Sequence, residues 1–249
     1  MKHFFRAIED GVPLKLFSPV HLVLLAIYIF GIIFIAKKKF GLNDEKRNRK
    51  FLIVLASILL IDQIVLYAWQ LGSGYFRMDI SLPLYHCRLA VWMLIIGVLL
   101  DNRKIKVIGI YWGTMGSVMA MVMADLYKFQ FPHYTNFQFF IVHIIMGWII
   151  ADLLFVTKDS ITKEDNKFVV IFTNVYNVLL VAFNLLMVKS LPDINYGYMI
   201  GMPPFIGPIF SRPIHILVML ILFNIAMFGL NYLFRAVQRG EMNDKKVLK

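Results

Sequence analysis

The chain has 249 residues, 59% of them apolar and 16% charged, with a mean hydropathy of +0.70. A soluble domain is about 45–50% apolar and ~25% charged, so an ordinary water-soluble globule is excluded. The formal net charge of +11 invites a nucleic-acid reading, and the single cysteine, Cys87, excludes an intrachain disulfide framework or a multi-cysteine zinc site.

In chain order, the first sixteen residues carry both charge signs and no long apolar core. No small-residue cleavage pattern follows the first apolar stretch, so no cleaved signal peptide is expected. Seven apolar segments come next, at about 18–36, 51–70, 82–100, 106–125, 136–156, 168–188 and 214–236. At about 1.5 Å per residue, roughly 20 residues cross a 30 Å hydrocarbon core. The pattern therefore predicts an all-α polytopic protein: a single integral membrane domain of seven transmembrane helices over 1–249. Barrel-type alternation, fixed-period repeats and an inverted pair of interrupted helices are not found.

The loops between these segments set the orientation. Segments 37–50, 101–106, 157–167 and the tail from Arg235 hold 7, 3, 3 and 5 Lys and Arg residues. The N-terminus and the loops around 71–81, 126–135 and 189–213 hold 3, 1, 1 and 2. This strict alternation predicts an outside N-terminus and a cytoplasmic C-terminus. The excess charge is then a topology signal with attraction to anionic headgroups, and no basic soluble module is present to bind nucleic acid. Arg88, inside a span, is the basic residue left over.

Polar groups inside spans are costly, and here they fall at a common depth in the outer half. They are His21, Asp62 with Gln63, the run His86-Cys87-Arg88, Asp125, Asn136 with Gln138 and His143, Asn184, and His215. Asn174, Asn177 and Asn184 form one polar stripe on the sixth span, serving either helix contacts or a cavity. Gly109, Gly113, Ser117, Ala120 and Ala124 form a small-residue stripe on the fourth, read as close packing. An outward-facing polar cavity is expected.

A lone cysteine is ordinarily core filler, but Cys87 lies between His86 and Arg88 near a helix start. Such an environment suits thiol nucleophilic chemistry, with an imidazole as base. His143, at comparable depth, is the candidate proton carrier. The histidines and aspartates show no metal-binding spacing, so neither a metal nor a cofactor is assigned.

A run of short motifs carries a resemblance. They are Phe17-Ser18 with His21, Leu82-Pro83-Leu84 followed by Cys87, Tyr111-Trp112-Gly113, the stretch Phe131 to His143, Asn184-Leu185-Leu186, and Asn195-Tyr196-Gly197-Tyr198. In this order they resemble a bacterial YwaF-like family of seven-span integral membrane proteins. That family is distantly similar to a eukaryotic transmembrane acyltransferase family that remodels ether phospholipids. The resemblance implies a thioester-forming cysteine at Cys87 and an assisting histidine at His143. A histidine two positions before the cysteine belongs to the same pattern. Here Tyr85 stands there, and the one-residue shift to His86 turns the side chain by about 100°.

The expectation is a thiol-dependent lipid acyltransferase acting on membrane phospholipids at the outer leaflet of a bacterial cytoplasmic membrane, as a multi-pass protein. Cys87 and His143 are the catalytic candidates, with His21, Asp62, His86, Arg88, Asp125, Asn184 and Asn195 binding or supporting. Two alternatives stay open: a transporter or binder using the same cavity, and a scaffold for an envelope enzyme.

Overall fold

The computed structural model describes residues 3–11, 14–38, 44–157, 161–203 and 206–247. Lys2, Lys39, Lys158 and Lys249, counted above in the loops and termini, lie outside the described residues. Those described form seven α-helices and no strand: α1 (Pro19–Lys38), α2 (Glu45–Gly72), α3 (His86–Leu99), α4 (Arg103–Val122), α5 (Tyr134–Phe155), α6 (Lys163–Met187) and α7 (Arg212–Val247). A 3₁₀ turn, Tyr196–Tyr198, precedes α7.

Local chemistry explains several starts. Asp44, Asn102 and His133 cap α2, α4 and α5 by accepting from the amides of Lys46, Ile105 and Thr135. Thr162 and Asp165 close a reciprocal capping box on α6. Six helices are long and apolar enough to cross a membrane. The exception is α3, whose 14 residues rise only about 21 Å. The third predicted crossing begins at 82, but residues 82–85 form turns and bends, and the helix opens where Leu89 N donates to Tyr85 O at 2.9 Å.

Exposure is inverted relative to a water-soluble protein. Val23, Ile27, Phe30 and Phe34 line the outside of α1, and Leu217, Ile221, Ile225 and Phe228 line that of α7. By contrast His21, Gln63, Asp152, Asn177 and Asn184 are buried. Apolar stripes of this extent are stable against acyl chains, not water.

The chain forms two compact units: Met1–Phe76 with Ala90–Asp159, and Arg77–Leu89 with Ser160–Lys249. In the first, α5 is central and packs on α1, α2 and α4. Its close approaches use glycine. A Cβ on Gly147 would strike Tyr28, one on Gly31 would strike Trp148, and one on Gly113 would come 2.8 Å from Ile150. The small-residue stripe of α4 is therefore a packing surface, on which Ser117 also meets the Tyr28 hydroxyl at 2.9 Å. In the second unit α6 packs on α7.

Candidate functional site

The second unit builds the surroundings of Cys87. This residue is half-buried in the first turn of α3. Side chains from α6 and the 195–201 segment help hold the turn leading to it. Tyr176 of α6 donates its hydroxyl proton to Leu84 O at 2.6 Å. Tyr196 donates to Met78 O at 2.8 Å and accepts from Leu82 N at 3.0 Å. Arg88 reaches back to Ile80 O and lies over the Tyr85 ring, 5.5 Å from its centroid. Arg77 pairs with Asp79. Two consecutive residues of α6, Tyr176 and Asn177, thus grip positions 84 and 86.

His86 is buried. Its ring stacks on Phe223 of α7 at 4.3 Å, meets Tyr176 edge-on at 5.3 Å, and donates from Nε2 to Asn177 Oδ1 at 2.7 Å. Gly197 closes the remaining side with φ +67, and a Cβ there would lie 3.0 Å from His86 Cε1. Only glycine combines that backbone with that approach.

The other amides of this unit have defined partners. Asn174 and Asn224 exchange hydrogen bonds at 2.9 Å in both directions, joining α6 to α7. Asn184 clamps Tyr196, donating to its carbonyl at 2.9 Å and accepting from its amide at 3.0 Å. Asn195 does the same across its own loop, donating to Gly201 O at 2.8 Å and accepting from Ile200 N at 3.1 Å. Both carboxamides shape the 195–201 segment. His215 donates to Tyr198 O at 2.7 Å. Along α7 an open groove of about 690 Å³ is lined by Leu220, Ile221, Asn224, Ile225, Phe228 and Gly229.

The first unit holds His21, Asp62, Asp125 and His143, while His86, Cys87, Arg88, Asn184 and Asn195 belong to the second. His143 is buried on α5 and donates from Nδ1 to Phe139 O at 2.6 Å. That bond fixes the tautomer in which Nε2 is the basic nitrogen. Asp62 is half-buried, and its Oδ2 accepts from Gln63 at 3.0 Å and Gln138 at 2.8 Å. His21 has both nitrogens engaged, donating to Met121 O at 2.8 Å and accepting from Phe17 N at 2.8 Å. It joins the start of α1 to the end of α4. Asp125 is exposed just beyond α4.

Sequence reasoning did not anticipate the N-terminal segment as a strap within this unit. Arg6 bonds Gln130 O at 2.6 Å and pairs with Asp10 at 2.8 Å. Phe4 O accepts from Tyr134 N at 3.0 Å, and Trp69 donates to Phe5 O at 3.2 Å. The Arg6 guanidinium, with the Gln130 amide, holds the Asp10 carboxyl below the usual range. His133 donates from Nε2 to Arg6 O at 3.0 Å, and burial pushes its pKa down.

Among the described residues no three His, Cys, Asp or Glu side chains are grouped to hold a metal ion. Long apolar helices with amides turned inward, and a helix start bearing one cysteine, define a polytopic helical membrane protein. The sequence model of the TMEM164 family matches residues 16–236, and the chain belongs to that family. No curated protein and no solved structure matches it.

Proposed function

We propose that the protein is a membrane-embedded, thiol-dependent phospholipid acyltransferase, a YwaF-like member acting in a bacterial cytoplasmic membrane. The observation that carries this reading is the construction of the α3 start. Tyr176, Asn177, Tyr196 and Arg88 all hold the turn that presents Cys87, far more fixation than a filler residue needs.

In the first half-reaction the Cys87 sulfur attacks the carbonyl carbon of a lipid ester, and the glycerol oxygen leaves with a proton. In the second, the hydroxyl of an acceptor lipid attacks the thioester and restores the thiol. His143 is the histidine that the family resemblance assigns as the proton carrier, and its bond to Phe139 O puts the proton on Nδ1, the tautomer whose basic nitrogen is Nε2. Amides in the first turn of a helix can stabilise developing negative charge, and Cys87 stands in the first turn of α3. The apolar groove along α7 offers a course for an acyl chain, and Phe223 of the same helix stacks on His86.

The test is direct. Purified protein is incubated with phospholipid and Cys87 is examined by intact-mass and peptide mass spectrometry. The expected result is a mass increment of one acyl chain on Cys87, lost on hydroxylamine treatment and absent in Cys87→Ala. Full lipid turnover by Cys87→Ala with no adduct on the wild type would overturn the mechanism.

A further inference from the structure

The polar stripe of α6 contains one amide whose hydrogen-bonding capacity is half used. Asn177 is fully buried, and its Oδ1 accepts from His86 Nε2. That bond fixes the carboxamide plane, and its Nδ2 group has no hydrogen-bond acceptor among the described residues. A buried amide donor left this way costs about 1–3 kcal/mol. Its stripe neighbours show no such vacancy: the Asn174 amide is matched by Asn224 and the Asn184 amide by Tyr196.

The position of the vacancy is informative. Asn177 is anchored to the residue immediately before Cys87, and the adjacent Tyr176 is anchored at Leu84. Phe223 and Gly197 fix His86 from two further sides. A donor that is rigid, dehydrated and without an acceptor in the resting protein is suited to a charge that appears only during reaction.

We infer that Asn177 Nδ2 is an oxyanion donor for acyl transfer to Cys87. This rests on the acyltransferase reading. As the C–S bond forms, the carbonyl π pair moves onto oxygen, and the Nδ2–H donates to that oxygen. Collapse restores the C=O bond and breaks the C–O bond to glycerol, whose oxygen takes up the proton released by the thiol. The ligand class is thus a carboxylic ester or thioester, recognised at its carbonyl oxygen.

Two variants separate chemistry from scaffolding. Asn177→Asp keeps the oxygen that accepts from His86 and removes the donor, while Asn177→Ala removes both. Each is compared with wild type in single-turnover acylation of Cys87 by a phospholipid, followed by mass spectrometry, and in alkylation of Cys87 by iodoacetamide. Alkylation is displacement at a saturated carbon and forms no oxyanion. The expected outcome is acylation slowed by about 10²–10³-fold, with alkylation within about twofold of wild type. Equal slowing of both reactions, or wild-type acylation in Asn177→Asp, overturns the inference.

Should both variants fail to fold, the wild type decides. A fatty aldehyde converts Cys87 to a hemithioacetal, and the ¹⁵N-labelled side-chain amide of Asn177 is expected to shift. An unmoved signal counts against the donor role. If wild-type Cys87 never acquires an acyl group, the acyltransferase reading itself fails, a result distinct from all of these.

Discussion

Gly197 is the residue at which backbone conformation and side-chain packing meet most tightly around Cys87. Its φ of +67 costs an L-residue about 1–2 kcal/mol, and a Cβ would press on both His86 and Leu180 at 3.0 Å. Gly197→Ala is expected to lower stability by roughly 2 kcal/mol, combining the backbone cost with local overpacking. Gly201→Ala, where the nearest atom is 3.5 Å away, serves as control. Thermal unfolding in detergent measures both, and equal effects would show that the His86 enclosure tolerates a methyl group.

His133 gives a pH dependence at the same scale. Burial depresses its folded pKa below the usual 6.5, and its Nδ1 accepts from Thr135 N at 3.2 Å, which protonation forbids. A lowered folded pKa means that the unfolded state binds the proton first. The stabilisation is therefore complete above about pH 6.5 and declines as pH falls below it. Asp10 has its own pKa lowered by Arg6, so it stays ionised through this window and adds no slope there. Hydrogen exchange of residues 3–11, corrected for intrinsic rate, is expected to rise from pH 7.5 to pH 5.5, and His133→Asn to abolish the change. A pH-independent wild type would exclude His133 as the clasp of this strap.

At the scale of elements, the reciprocal Asn174–Asn224 pair is the polar tie between α6 and α7. Hydrogen bonds between membrane helices average about 0.6 kcal/mol and reach about 1.7. Two bonds in one planar exchange place this pair toward the upper end. A double-mutant cycle with Asn174→Ala and Asn224→Ala should return a coupling of about 1–2 kcal/mol. Strict additivity would mean that each amide is satisfied by its own helix carbonyl, at Val170 and Leu220.

Helix positions were legible in the sequence because hydrocarbon thickness imposes a length that composition reports directly. Six of the apolar segments overlap helices long and apolar enough to cross a membrane, running past them by up to three residues. The start of α3 was not legible. Apolarity continues back through Leu82-Pro83-Leu84, but the backbone there is diverted by Tyr176 and Tyr196, respectively 92 and 114 positions away. The same limit applies to side chains. Asn177 was visible as one of a helical stripe, but its partner, His86, is 91 positions distant. Asn184 and Asn195 were legible only as binding or supporting residues, because residue type gives hydrogen-bonding capacity without direction. Only the folded 195–201 segment shows that backbone groups take up both amides.

For the molecule as a whole, the +11 charge and the length of α3 pull against each other. A helix of about 21 Å is short for a 30 Å core. Yet the basic segment 101–106 falls on the same side as the other basic loops only if α3 crosses. A short span is accommodated by local thinning at a cost of fractions of a kcal/mol per Å. A misplaced cluster of Arg103, Lys104 and Lys106 would forfeit about 1 kcal/mol per charge at the anionic cytoplasmic leaflet. The two costs are comparable. The polar turn 77–85 can lie at the interface without needing to be helical, which tips the balance toward a crossing. Single cysteines on a Cys87→Ala background resolve it, at the exposed positions Met78 and Lys104 on either side of α3. A membrane-impermeant maleimide applied to intact cells should label Met78→Cys, and Lys104→Cys only after permeabilisation. Labelling of both in intact cells would reduce the crossings to six and leave α3 lying within one leaflet.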